Sequence, residues 1–139
     1  MIKGHGIDIV DTARIARMLT EHGERFLDRC FTPAEQQHCA KTEKRHVERL
    51  AGRFAVKEAI LKVLGTGLRG GIQWTDMEVV PDAFGRPVLT LSGEAANVAN
   101  QLGITDWHVS ISHIESHAVG SAIGEWRAPP SDMSFVREE

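Results

Sequence analysis

The sequence predicts an α+β fold, a mostly antiparallel sheet packed against one long helix. Three observations lead there. Residues 73–91 and 107–123 each hold two apolar-patterned stretches separated by a short turn, the pattern of antiparallel hairpins. A further strand-like stretch opens the chain. Between the opening stretch and the hairpins, residues 45–64 repeat apolar positions at helical spacing over a length that can cover a sheet.

Each element follows from local residues. Ile2 to Val10 reads as a strand, with Ile7 and Ile9 on one face and Asp8 and Val10 on the other. Asp11 or Thr12 caps a helix whose apolar side is Ile15, Met18 and Leu19, and Gly23 ends it. Thr32-Pro33-Ala34-Glu35 is a capping box with proline at the first helical position, opening a short helix towards Lys41. The long helix runs from Arg45 to Leu64, with Gly65 as its terminator. Residues 65–71 form a glycine-rich loop. Gln73 to Val80 is a strand, Pro81 to Pro87 a turn, and Val88 to Leu91 the returning strand. Ser92 caps a helix ending near Gly103. Trp107 to His113 and His117 to Ile123 form the second hairpin. The order is β-ααα-ββ-α-ββ. One domain is expected over residues 1–126, with 127–139 a frayed tail.

Composition narrows the function. The chain of 139 residues is 42% hydrophobic and 25% charged, enough for an ordinary core. No apolar run is long enough for a membrane span or a signal peptide. Two cysteines, Cys30 and Cys39, cannot build a disulfide framework, so a reducing, cytoplasmic setting is expected. A net charge of −3 argues against bulk attraction to nucleic acid. The charge is uneven: residues 1–62 net +3 and residues 63–139 net −6. An acidic partner would therefore dock on the first half, although two ordinary solvated faces give the same arithmetic.

Two carboxylates stand out. Glu58 falls among Val47, Leu50, Ala51, Phe54 and Leu61 on the apolar stripe of the long helix. A charge there must be paired, protonated or metal-bound. Pairing with Lys62, four residues on, is one solution. Asp8 sits mid-strand between Ile7 and Ile9, where aspartate is disfavoured unless its face is wet. Together the two are compatible with a hard cation such as magnesium, which takes one or two carboxylates plus phosphates and waters. The loop Gly65-Thr66-Gly67-Leu68-Arg69-Gly70-Gly71 has no Walker spacing and follows a helix, so it is not a dipole-driven phosphate loop. His108, Ser110 and Ser112 share one face of their strand and can line a polar pocket or a wet hairpin face. His113, Glu115 and His117 straddle a tight turn and carry no zinc spacing, and no GxSxG elbow is present.

Several segments in this order resemble the holo-acyl-carrier-protein synthases, small bacterial 4′-phosphopantetheinyl transferases. They are Gly6-Ile7-Asp8-Ile9-Val10, Phe31-Thr32-Pro33-Ala34-Glu35, and Arg53-Phe54-Ala55-Val56-Lys57-Glu58-Ala59 with Lys62 and Gly65-Thr66-Gly67. Trp74-Thr75-Asp76-Met77-Glu78-Val79, Gly85-Arg86-Pro87 and His108-Val109-Ser110-Ile111-Ser112-His113 continue the match over residues 1–125. The resemblance implies transfer of the 4′-phosphopantetheine arm of coenzyme A to a serine of acyl carrier protein, in support of fatty acid synthesis. It also implies magnesium dependence, a cytoplasmic location and a homotrimer with interfacial sites.

Carried over by position, Asp8 and Glu58 would ligate magnesium. Lys62 would neutralise the leaving diphosphate, and Glu58, directly or through a water, is the candidate base for the serine proton. Lys62, Gly65, Thr66, Gly67, Gly85, Arg86, Pro87, His108, Ser112 and His113 would face coenzyme A. Arg14 and Arg25 would pair with the acidic carrier, beside apolar contacts from Met18 and Phe26. Two other readings remain open: a non-catalytic binding module on the same scaffold, and a transferase serving a different carrier. No role falls to Cys30, Cys39, His5 or the tail.

Overall fold

A computed structural model describes residues 1–130 of the chain. β1 (Ile2–Asp11) leads into α1 (Thr12–His22), α2 (Glu24–Cys30), α3 (Pro33–Cys39) and, after a 3-10 turn at Glu43–Arg45, α4 (His46–Leu64). A 3-10 turn at Trp74–Asp76 precedes β2 (Met77–Pro81) and β3 (Pro87–Leu91). α5 (Gly93–Gln101), β4 (Asp106–His113) and β5 (His117–Glu125) follow. The strands form an antiparallel three-stranded sheet, order β1-β5-β4, and a separate β2–β3 hairpin. The α+β class is as expected.

Two elements differ from the expectation. Four helices precede the first hairpin, not three, because α2 starts directly at Gly23. That glycine, at φ 50°, ends α1 and opens α2 with no linker between them. The only sequence trace of α2 is the buried pair Phe26 and Cys30, one helical turn apart. The strand expected from Gln73 begins only at Met77, since Asp76 Oδ2 accepts from Gln73 N at 3.2 Å and curls the chain. The same carboxylate also accepts from Ala95 N at 3.2 Å, serving α5 where the Ser92 side chain makes no cap bond. The predicted capping box on α3 is present, with Thr32 N donating to Glu35 Oε1 and Glu35 N to Thr32 Oγ1. Gly65, at φ 77°, terminates α4 as expected. Residues 127–130 carry no helix or strand, and the rest of the expected tail lies outside the described residues.

α4 lies across the inner face of the three-stranded sheet, and small residues let it come close. A Cβ at Gly6 would collide with the carbonyl oxygen of Ala59, and one at Gly120 with the backbone of Ala55 and Val56. Core packs on both flanks of the helix. Val56, Ile60 and Leu64 meet α5, β2 and Ile104 on one side, while Leu50, Ala51 and Phe54 meet α1, α2 and α3 on the other. None of the described residues covers the outer face of the sheet. Ile7 and Ile9 stand there 57% and 65% exposed, in register with Ser121 and Val119 of β5, beside Ser110 and Ser112 of β4.

One buried pair escaped the sequence. Lys57 Nζ lies 2.6 Å from Glu35 Oε1 with both side chains fully buried. Burial pulls the ammonium below its usual range, and Glu35 opposes that shift.

Candidate active site

Asp8 projects from the inner face of β1, half-buried towards α4, where Glu58 and Lys62 stand one turn apart. Lys62 Nζ donates to Ile7 O at 2.7 Å and to Asp8 Oδ1 at 3.2 Å. Lys62 thus pairs with Asp8 rather than with Glu58, because β1 crosses α4 at this turn. Glu58 is half-buried, and burial holds its carboxyl above the ordinary glutamate range. The negative charge of Asp8 adds to that shift, while Arg14 and Lys62 oppose it. A raised carboxyl favours the folded state below the ordinary carboxylate range, and that contribution is lost as pH rises through the folded value. In the metal-free protein, carboxyl NMR should therefore show Glu58 titrating high, and Asp8→Asn should bring it down. Titration at or below the ordinary range would contradict the arrangement.

Glu58 and Lys62 line a cavity of about 440 Å³ together with Leu61, Gly65, Gly67, Leu68 and Trp74. Gly65 and Gly67, at φ 77° and 58°, bring backbone to its rim, and Thr66 Oγ1 turns inward on Gly67 O. Leu68 and Trp74 also wall a neighbouring groove of about 440 Å³. Arg14, Met18, Arg25 and Phe26, the four residues expected to dock a carrier, all line that groove. Phe26 is its floor, only 4% exposed and edge-on to Phe31. The guanidinium of Arg14 sits 5.7 Å from the Phe54 ring centroid.

The remaining expected residues lie elsewhere in the chain. Gly85, Pro87 and His113 border a cavity of about 230 Å³ with Arg49 and Arg53. Arg53 precedes Lys62 on α4 by about two and a half turns, which points the two to opposite sides of the helix. Arg86 lies over Phe84, 5.7 Å from its ring centroid, and His113 Nδ1 is 2.6 Å from Glu48 Oε2. His108 and Ser112 are on the outer sheet face, His108 Nε2 3.2 Å from Glu125 Oε1. One chain therefore gathers Asp8, Glu58, Lys62 and the Gly65–Gly67 loop, and holds the hairpin turn and the β4 residues apart from them.

Arg53, which is not among the expected site residues, lines the same cavity as Gly85, Pro87 and His113. It is 8% exposed and has no carboxylate partner among the described residues, donating instead to Val79 O and Arg49 O. Its signal was an arginine inside the apolar middle of a helix.

Among the described residues no three His, Cys, Asp or Glu side chains are grouped to hold a metal. The oxygen-only pair Asp8 and Glu58 nonetheless fits magnesium, which completes its shell with phosphate and water oxygens. Burial and then the like charge of Asp8 raise the Glu58 carboxyl, and a cation bound by both carboxylates would relieve that repulsion.

The profile of the 4′-phosphopantetheinyl transferase superfamily matches residues 4–121. The chain belongs to that family. It is 50% identical over 125 residues to the holo-[acyl-carrier-protein] synthase of Koribacter versatilis, covering 90% of this chain and 99% of that relative. Among solved structures it is similar to the holo-[acyl-carrier-protein] synthase of Neisseria meningitidis, with a TM-score of 0.81 and 34% identity over 90% of this chain and 99% of that one. The synthase of Bacillus anthracis in complex with CoA (3′,5′-ADP) superposes with a TM-score of 0.75 at 36% identity, covering 91% of this chain and 99% of that one.

Proposed function

We propose that this protein transfers the 4′-phosphopantetheine arm of coenzyme A to a serine of apo acyl carrier protein, with magnesium, and releases adenosine 3′,5′-bisphosphate. The observation that carries this is the open cavity lined by Glu58 and Lys62, with Asp8 paired to Lys62 Nζ at 3.2 Å, in a chain of this family. The serine oxygen bonds to the phosphorus that bears pantetheine, and the bond from that phosphorus to the bridging diphosphate oxygen breaks. Glu58 takes the serine proton. Lys62 Nζ, already turned to this side of α4, neutralises charge on the leaving group. Magnesium held by Asp8 and Glu58 would supply further neutralising charge at the diphosphate. Such transfers ask mainly for positioning and electrostatics.

The nucleotide end of coenzyme A would lie against Gly85, Arg86, Pro87 and His113, with Arg49 and Arg53 as cationic partners. Those residues sit on the far side of α4 from Glu58, so a complete site draws them from a second copy. The exposed Ile7 and Ile9 on the uncovered sheet face support a homotrimer closed over that face, which would also carry His108 and Ser112 to the interface. Sedimentation at micromolar concentration should give about three times the 15.3 kDa chain mass. A single-chain mass would contradict the shared site. Residues 1–126 would form the working domain. Among the described residues no helix is long and apolar enough to cross a membrane, and the proposed reaction fits a cytoplasmic setting that supports fatty acid synthesis.

The acyl carrier protein would dock on the groove of Arg14, Met18, Arg25 and Phe26. Arg14→Glu should weaken carrier binding about tenfold at low salt, with the difference shrinking as salt rises, and leave coenzyme A binding unchanged. Equal carrier affinity at low salt would remove α1 from the docking surface. The reaction itself is tested by chromatography of the released nucleotide. One adenosine 3′,5′-bisphosphate should form per carrier, and none with a carrier whose acceptor serine is replaced by alanine.

A further inference from the structure

One residue before Glu58, α4 carries a side chain that the transfer chemistry does not use. Lys57 is fully buried, and its ammonium donates to Glu35 Oε1 at 2.6 Å, Cys30 O at 2.7 Å and Trp74 O at 3.2 Å. Glu35 is equally buried. Its Oε1 also accepts from Thr32 N, and its Oε2 accepts from Val79 N at 2.9 Å. One turn earlier on α4, Arg53 Nε donates to Val79 O at 3.3 Å. Among the described residues β2 pairs only with β3, and on its other edge both backbone groups of Val79 end on side chains from α3 and α4.

A buried ion pair is a poor device for stability alone, since apolar residues of the same volume hold a core as well or better. What the pair adds is direction, and each direction leads to the site. Cys30 O closes α2, which brings Arg25 and Phe26 to the carrier groove. Trp74 stacks on Phe54 with centroids 4.8 Å apart, and it walls both the groove and the Glu58–Lys62 cavity.

We propose that Glu35 and Lys57 are positioning residues for the transfer, fixing the end of α2 and Trp74 relative to Glu58 and so setting how the carrier serine approaches that carboxylate. The proposal rests on the transferase reading above. Misplacement of reacting groups by about 1 Å can cost on the order of a hundredfold in rate, so loosening this clamp should be read in kinetics before it is read in folding.

The test is the double variant Glu35→Leu/Lys57→Met, which removes both charges together, followed by circular dichroism, steady-state kinetics and the indole NMR resonance of Trp74. The expected result is a folded protein whose coenzyme A KM stays within about twofold, whose kcat falls about tenfold or more and whose carrier KM rises. A folded double variant with the kcat and carrier KM of the parent overturns the proposal, as does a change in melting temperature with no kinetic change. If the double variant does not fold, Glu35→Gln decides, because it keeps the shape and one acceptor while removing the charge. The Trp74 resonance should shift and kcat/KM for the carrier should fall severalfold, well below the melting temperature; both unchanged overturns the proposal. Should the parent protein transfer nothing to any carrier, the functional reading fails by itself. An unshifted Trp74 resonance in Glu35→Gln would then overturn the clamp as well.

Discussion

Glu58→Gln should lower the transfer rate by about 10²–10⁴-fold, the usual worth of the positioned general base proposed here, and leave the fold intact. The substitution keeps the size of a half-buried side chain and removes its charge, so the burial that now raises its carboxyl no longer opposes anything. Stability should hold or rise slightly. Asp8→Asn should lose activity as well, for a different reason. It removes the negative charge from one of two oxygen ligands suited to magnesium, the same charge that pairs with Lys62 Nζ at 3.2 Å. The two losses can be told apart by metal titration: raising magnesium should recover part of the Asp8→Asn rate and little of the Glu58→Gln rate. Parent turnover in both variants would contradict the site.

Lys57→Met alone should destabilise the protein by about 3–5 kcal/mol, the cost of leaving a fully buried partner charge unpaired. Against a total of about 5–15 kcal/mol for a typical domain, that is a large share. Glu35 would keep its backbone donors from Thr32 and Val79 but lose its only cation, while the carbonyl of Cys30 would lose its side-chain donor. Adding Glu35→Leu should restore much of the loss, since the second change removes the orphaned charge. Denaturant melts of the single and double variants measure this directly. A single variant within about 1 kcal/mol of the parent would mean that water or another group reaches Glu35.

The sequence exposed the carboxylates of the site because each breaks a local rule. Asp8 interrupts a β pattern and Glu58 an apolar helical stripe, and both conflicts persist in the fold as a pair of like charges near one another. It did not expose the partner of Lys62. Spacing along the helix offered Glu58, whereas the observed partner depends on where β1 crosses α4, a crossing made possible by Gly6. Lys57 stayed hidden because α4 is buried on nearly every side from Leu50 to Leu61, so no solvent face marked the lysine as misplaced. Glu35 was legible as a helix cap, and its second task, holding Lys57 and Val79, is set by contacts 22 and 44 residues away. The hairpin turn was legible from Gly85 and Pro87, but not its place behind α4, which divides the residues proposed to face coenzyme A between two sides of the chain.

Phosphopantetheine transfer is read without intermediary from the intact mass of an apo acyl carrier protein incubated with this protein, coenzyme A and magnesium, beside an EDTA control. The carrier should gain one phosphopantetheine group with metal and none without it. An unchanged carrier mass across several carriers, with folded protein and magnesium present, would contradict the proposed transfer.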